Sequence, residues 1–219
     1  MADSILPAVK ELRRFRSPVI TPQALAWDGA HLLMSSRDLG TLIKVELDSW
    51  RVIEEIDPPG IVWAASRNND GWWFTIGKGL NDDRYVYRFT RGEGFTKLFS
   101  CPDLTGSYLS FDGESHYLSQ WYKHRILKMD ENGRILRQIS VGAEISGHTF
   151  VDGAIYVLRG AETPNEEWRI ARLDPDEETP NVQDLGSLPF ACRSLTFDGK
   201  TFWSNYRAAG ETISFALPG

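Results

Sequence analysis

The sequence predicts an all-β chain folded as a closed five-bladed β-propeller, with four antiparallel strands per blade. Three observations carry this expectation. Asp-Gly recurs at Asp28-Gly29, Asp70-Gly71, Asp112-Gly113, Asp152-Gly153 and Asp198-Gly199, at intervals of 42, 42, 40 and 46 residues. Each pair stands between short apolar segments, and there Asp-Gly is a hairpin signal, because both positions of the tight turn take positive φ. Four short strands in a repeat of about 40–45 residues make one propeller blade.

The elements follow in order within each repeat. A first strand precedes the turn, as in Gln23–Trp27, Val62–Ser66, Tyr108–Phe111, Thr149–Val151 and Ser194–Phe197; in the second copy, Arg67 to Asn69 are extra residues before the turn. A second strand follows it at Leu32–Ser35, Trp72–Thr75, Tyr117–Ser119, Ile155–Leu158 and Phe202–Ser204. The third strands, such as Ile43–Leu47, Tyr85–Phe89 and Ile213–Leu217, alternate apolar and polar residues, the period of a half-buried strand. Fourth strands are read at Val52–Ile56, Phe95–Phe99, Ile135–Ile139 and Val182–Leu185. The fifth copy reaches Pro218-Gly219 without one, whereas Val9–Arg16 has that character and precedes the first copy. It is therefore expected to complete the last blade and close the ring, which leaves only short edges.

The blades are then about 20–60, 61–103, 104–146, 147–190, and 191–219 with 8–17, in a single domain. A helical solenoid does not fit the period-two alternation, and a β-sandwich leaves the regular spacing unexplained.

Composition narrows the function classes. Apolar residues are 42% of the chain and aromatic ones 12%, which excludes a disordered chain. No apolar run reaches the roughly 18 residues of a membrane span, so no membrane partner is expected. The net charge of −6 argues against nucleic acid, whose binders carry a basic excess. The start, Met1 to Phe15, has no long apolar stretch after a basic end, so it does not read as a signal peptide. A cytoplasmic monomer with Cys101 and Cys192 as free thiols is the expectation. There is no Cys/His spacing for zinc, and neither a metal nor a cofactor is expected.

In a propeller, the loops before each first strand and after each second strand open on one face. Gln23, Trp63, Ser107, Tyr108, His148 and Arg193 are assigned to the first-strand starts. Arg37, Lys78, Trp121, Tyr122, Lys123, Arg159, Tyr206 and Arg207 are assigned to the second-strand loops. Arg37, Lys78, Lys123, Arg159 and Arg207 give each blade one cation there, and a ring of cations around a concave mouth attracts an anion. Aromatic neighbours suit a flat or apolar ligand body. Of the four histidines, only His148 has a channel position; His31 and His116 are expected to be structural and His124 a loop residue. The first-strand starts supply no Asp or Glu, against the carboxylate pair of a glycosidase, and Glu144 and Glu162 are the nearest loop carboxylates. The Arg13-Arg14-Phe15-Arg16 run suits an outer strand with solvated charges.

Leu25-Ala26-Trp27-Asp28-Gly29 and Leu195-Thr196-Phe197-Asp198-Gly199 each lead into an apolar strand, and the first is followed by Ile43–Asp48 and Arg51-Val52-Ile53. This repeat resembles that of bacterial NHL- and YVTN-type propellers and of the glutamine cyclotransferase family. The resemblance implies five blades and, for cyclotransferases, conversion of N-terminal glutamine to pyroglutamate. Thr21-Pro22-Gln23-Ala24-Leu25 partly matches that family's first blade, which implies Gln23 as a site residue. The later stretch reads Met34-Ser35-Ser36-Arg37, with Met34 where the family has a glutamate. Three functions are thus carried forward: a module binding a small anionic or aromatic ligand, a cyclotransferase- or lactonase-like enzyme, and a protein-interaction scaffold.

Overall fold

The structure is a computed structural model that describes residues 6–79 and 83–219; Met1 to Ile5, part of the N-terminal stretch read above, lie outside the described residues. Alternating apolar residues and frequent turn signals produce five four-stranded antiparallel sheets. Blade 1 holds β2 (Pro22–Trp27), β3 (His31–Ser36), β4 (Leu42–Glu46) and β5 (Val52–Ile56). Blade 2 holds β6 (Ile61–Asn68), β7 (Gly71–Gly77), β8 (Tyr85–Thr90) and β9 (Gly94–Ser100). Blade 3 holds β10 (Tyr108–Phe111), β11 (His116–Gln120), β12 (Arg125–Met129) and β13 (Ile135–Ser140). Blade 4 holds β14 (Glu144–Val151), β15 (Ala154–Ala161), β16 (Glu167–Leu173) and β17 (Gln183–Leu188). Blade 5 holds β18 (Cys192–Phe197), β19 (Phe202–Tyr206), β20 (Glu211–Ala216) and, as its outer strand, β1 (Lys10–Arg16).

The N-terminal strand closes the ring as expected: β1 runs antiparallel to β20, from Lys10 opposite Ala216 to Arg16 opposite Glu211. Each first strand also touches the first strands of the blades on either side, β18 meeting β2. These inner edges lack a further strand to pair with, and an unpaired edge must be satisfied or covered. Side chains do this across the blade boundary. Leu25 N–H donates to Ser194 Oγ at 3.0 Å and Trp27 N–H to Thr196 Oγ1 at 3.1 Å. Ser35 Oγ accepts from Ala24 N–H and donates to Val62 O.

Burial follows the blades. There are five apolar clusters among the described residues, one per blade boundary: Leu33, Val62 and Phe74 between blades 1 and 2, for example, and Leu158, Trp168, Phe202 and Phe215 between blades 4 and 5. Both faces of a blade are therefore apolar, which is why the inner strands read as near-continuous hydrophobic runs. At the closing boundary Phe15 of β1 stacks on Trp50 at 4.3 Å, and Trp203 stacks on Trp50 at 5.9 Å.

The Asp-Gly turns depart from the expected geometry. Only Asp152-Gly153 has both residues at positive φ, 50° and 77°. In blade 2, Asn68 pairs with Gly71, so Asn69-Asp70 form the turn and the extra residues lengthen β6 instead. At Asp28, Asp112 and Asp198 the carboxylate itself organises the loop. Its Oδ1 accepts the N–H groups two and three residues on. Its Oδ2 takes a side chain: Lys44, the Tyr117 hydroxyl or the Trp203 indole N–H. Asp is favoured in such turns because its side chain replaces missing backbone bonds.

Burial alone would raise the Asp198 carboxyl, but the Trp203 indole and the Thr201 and Lys200 amides outweigh it and hold it below the usual value. A depressed carboxyl stabilises the fold above its unfolded-state pKa, and that stability is lost as pH falls through the folded-state pKa. Asp198→Asn is expected to melt lower than wild type at pH 7 by about 1 kcal/mol, the loss of charge assistance. The gap should narrow as pH falls through the lowered folded-state pKa and close once the wild-type carboxyl is itself protonated. Thermal melts across pH 2.5–7 (roughly the range that brackets carboxyl titration) check this; a gap that persists in acid would contradict the role assigned to the charge.

Candidate functional site

The upper mouth of the channel, where the first strands begin, opens into a cavity of about 140 Å3. Its wall holds Gln23, Arg37, Trp63, Tyr108, Trp121, Tyr122 and Arg207, together with Arg84, Thr105, Ser107 and Glu162. Gln23 stands at the start of β2 and is 3% exposed. Its carbonyl oxygen Oε1 accepts a hydrogen bond from Arg207 Nη1 at 2.6 Å, and its Nε2 donates to Trp63 O at 3.4 Å. Arg207 opens the 3-10 turn Arg207–Ala209 that follows β19, so the chain end of the second strand delivers it to the mouth.

The charges around the mouth differ in how they are held. Arg37 pairs with the adjacent Asp38 at 3.0 Å. Arg193, in β18, donates to Glu166 at 2.6 Å and Glu162 at 2.9 Å, and lies 5.0 Å from the Trp121 ring centre and 5.5 Å from that of Trp168. Burial works against the Arg193 charge, but Tyr108 and Glu166 outweigh it and raise its pKa. Arg207 has no carboxylate in ion-pair contact among the described residues; the neutral Gln23 amide is its hydrogen-bond partner. Burial lowers its pKa, with the neighbouring charges of Arg193 and Arg37 adding to that effect. Burial likewise raises the Tyr108 hydroxyl. Two indole N–H groups in the wall, those of Trp63 and Trp121, are buried with no hydrogen-bond partner among the described residues.

His148 lies deeper than its sequence position suggested. The first strand here is expected at Thr149–Val151, but β14 starts at Glu144 and carries a bulge between Ile145 and Gly147. His148 is thus mid-strand and 1% exposed. A carbonyl only accepts, so the 3.3 Å contact with Tyr108 O places the proton on Nε2, and Nδ1 accepts from the Ser110 hydroxyl at 2.8 Å. Burial pushes its pKa down to about 4, so the imidazole is neutral at pH 7 and acts as a packing group.

Four further residues assigned to the mouth do not line the cavity. Arg159 is inside β15, which runs on to Ala161 and so absorbs it into the sheet. Its guanidinium donates twice to Asp184 of the outer strand, at 2.7 and 3.0 Å, and once to Val141 O. Lys78 is exposed just after β7 and does not line the cavity. Tyr206 packs against Phe190 at 6.0 Å and borders a separate open cavity with Trp168. Lys123 is spent on Asp103. The ring of five cations, one from each blade, is therefore not assembled. Arg37 and Arg207 remain, and blade 2 contributes Arg84, which stands before β8, covers the Trp63 ring at 3.9 Å and donates to Gly106 O. Nothing periodic in the sequence marks Arg84 or Glu162. Met34, at the position of the cyclotransferase glutamate, is fully buried between blades 5 and 1, where Ser17 Oγ contacts its sulfur.

No protein-family model matches the chain, and no curated protein matches it. Solved structures do. The glutaminyl cyclase of Myxococcus xanthus superposes with a TM-score of 0.70 at 12% identity, over 98% of each chain. The PQQ-bound aldose sugar dehydrogenase of Streptomyces coelicolor gives 0.61 at 14%, covering 97% of this chain and 100% of that one. The calcium-binding protein regucalcin of Agrobacterium tumefaciens gives 0.61 at 13%, covering 98% and 95%. At such identities the likeness is one of fold, and the chain is a five-bladed β-propeller that resembles both enzymes and binding proteins built on propellers.

Proposed function

We propose that the upper mouth is a binding site for a small organic anion with an apolar or aromatic body. The observation that carries this reading is Arg207, a partly buried guanidinium hydrogen-bonded to a neutral amide and without a carboxylate in contact among the described residues. A desolvated charge is costly until it is paired, so an incoming carboxylate gains more here than at a solvated arginine. Gln23 holds Arg207 Nη1, and Arg37 adds positive potential beside it. Trp63, Tyr108 and Trp121 supply flat apolar surface. The cyclotransferase-like reading has less support: Met34 is not acidic, and Glu162, the one carboxylate in the described wall, is already paired with Arg193.

The test is a thermal-shift and tryptophan-fluorescence titration with acetate, succinate and benzoate against acetamide and benzamide. A ligand of the native state raises its melting temperature. The carboxylates are expected to bind and the amides not to. Arg207→Gln is expected to weaken carboxylate binding about 10- to 100-fold, the worth of a charge-assisted hydrogen bond. Equal binding of benzamide and benzoate would remove the basis of the proposal.

A further inference from the structure

The apolar residues around this mouth point to the source of the anion. Outside the outer strands, the large hydrophobic side chains exposed among the described residues are Ile20, Leu39, Leu104 and Tyr122, at 56%, 60%, 42% and 74% exposure. Tyr122 lines the cavity, and the backbones of the other three are tied to residues in or next to its wall. Ser36 Oγ donates to Ile20 O and accepts from Leu39 N–H, one residue from the wall residue Arg37. Leu104 accepts from Arg84 N–H through its carbonyl and precedes Thr105, both wall residues, and Tyr122 is in the wall itself. Exposed apolar side chains scattered singly need no explanation, but a group of them gathered around one polar pocket marks an interaction site.

Resting on the reading of the mouth as a carboxylate site, we infer that its ligand is the free C-terminus of a polypeptide whose last residues are apolar. The cavity of about 140 Å3 admits one chain end and not a folded surface. A free small acid would fill it and leave Ile20, Leu39 and Leu104 in water. A chain end places its carboxylate on Arg207 and continues outward over the rim, where its preceding side chains cover those residues. The wall also suits the backbone of a terminal residue: Glu162, exposed enough to accept a further bond, is an acceptor for an amide N–H. Charge complementarity is local, since the chain as a whole carries −6 while this opening is lined by Arg37, Arg84 and Arg207.

The experiment probes the whole chain with an array of random hexapeptides bearing free C-termini and a second array of the same peptides amidated at the C-terminus. The best free-acid binders are then titrated in solution beside succinate, using wild type, Arg207→Gln, and the rim variants Ile20→Ser and Leu39→Ser. Free-acid peptides with apolar final residues are expected to bind at least about tenfold more tightly than succinate, the return on burying one or two apolar side chains. Amidation and Arg207→Gln should each remove most of that binding. The rim variants should weaken the peptides several-fold and leave succinate unchanged. Peptides that bind no better than succinate, or rim variants without effect on them, would overturn this inference and leave the carboxylate site standing. Amidated peptides that bind as well as free acids would overturn it too. Failure of succinate and of every free-acid peptide to bind would overturn both readings together.

Discussion

Removal of residues 1–16 is expected to abolish cooperative folding or to lower the melting temperature by more than about 10 °C. The segment contains Lys10–Arg16, the outer strand of the last blade, hydrogen-bonded along β20 from Ala216 to Glu211. Without it, β20 becomes an open edge and the boundary between blades 5 and 1 loses Phe15, which stacks on Trp50 and Trp203. Val9, 6% exposed, leaves the cluster between blades 4 and 5. Burying a valine or phenylalanine side chain contributes about 1.5–3 kcal/mol, so two of them with their backbone bonds approach the roughly 5–15 kcal/mol by which a whole domain is stable. Ring closure makes the loss larger than its area suggests, because every blade is held by two neighbours only while the circle is complete. Calorimetry of the shortened chain checks this, and an unchanged melting transition would mean that the ring does not depend on its N-terminal strand. Phe15→Ala separates the two contributions, and about 2 kcal/mol is expected from the side chain alone.

Gly147→Ala is the second large effect, and its cause is backbone proximity rather than glycine conformation. A Cβ at Gly147 would stand 2.5 Å from the Ser194 carbonyl carbon and 2.6 Å from the Leu195 nitrogen. Both belong to β18, the neighbouring first strand, which is itself bulged between Arg193 and Thr196 and holds Ser194 at φ 64°. Neither backbone can retreat cheaply: Ser194 Oγ is bonded to Leu25 N–H and Ser194 O to Ser204 Oγ. Overpacking of this kind costs about 3 kcal/mol, the upper end of the usual range, or about 6–12 °C in melting temperature for a chain of this length. Because Arg193 precedes the bulge, the same substitution is expected to loosen its contacts with Glu162 and Glu166 and so to reduce carboxylate affinity at the mouth. A melting temperature within about 2 °C of wild type would show that the two first strands separate freely.

The fold was legible because its signals are local. Period-two alternation in Ile43–Leu47 or Tyr85–Phe89, and a turn residue pair every 40–46 residues, are properties of adjacent residues. Even the closing strand could be read from a spare strand-like segment at one end and a missing one at the other. Local signals were also where details failed. Asp70-Gly71 looks like a turn, yet pairing of Asn68 with Gly71 moves the turn to Asn69-Asp70. The first strand of the fourth repeat is read at Thr149–Val151, yet β14 starts at Glu144 and passes through a bulge, and His148 sinks from the mouth to a buried position bonded to Ser110.

What the sequence by itself determined was the count of blades, the strands within them and the face on which polar and cationic loops collect. These depend on hydrophobic periodicity and turn chemistry, which are written along the chain. Only the tertiary structure decided which side chains meet. Arg159, Lys123 and Arg207 occupy similar positions in their repeats, but Asp184 claims the first and Asp103 the second, while Arg207 reaches Gln23 from 184 residues away. A charge is defined by its partners, and those lie far along the chain, within one blade for Arg159 and Asp184 and across the closing boundary for Arg207 and Gln23. For that reason, the arginine without a carboxylate in ion-pair contact among the described residues could be identified only once the circle was complete.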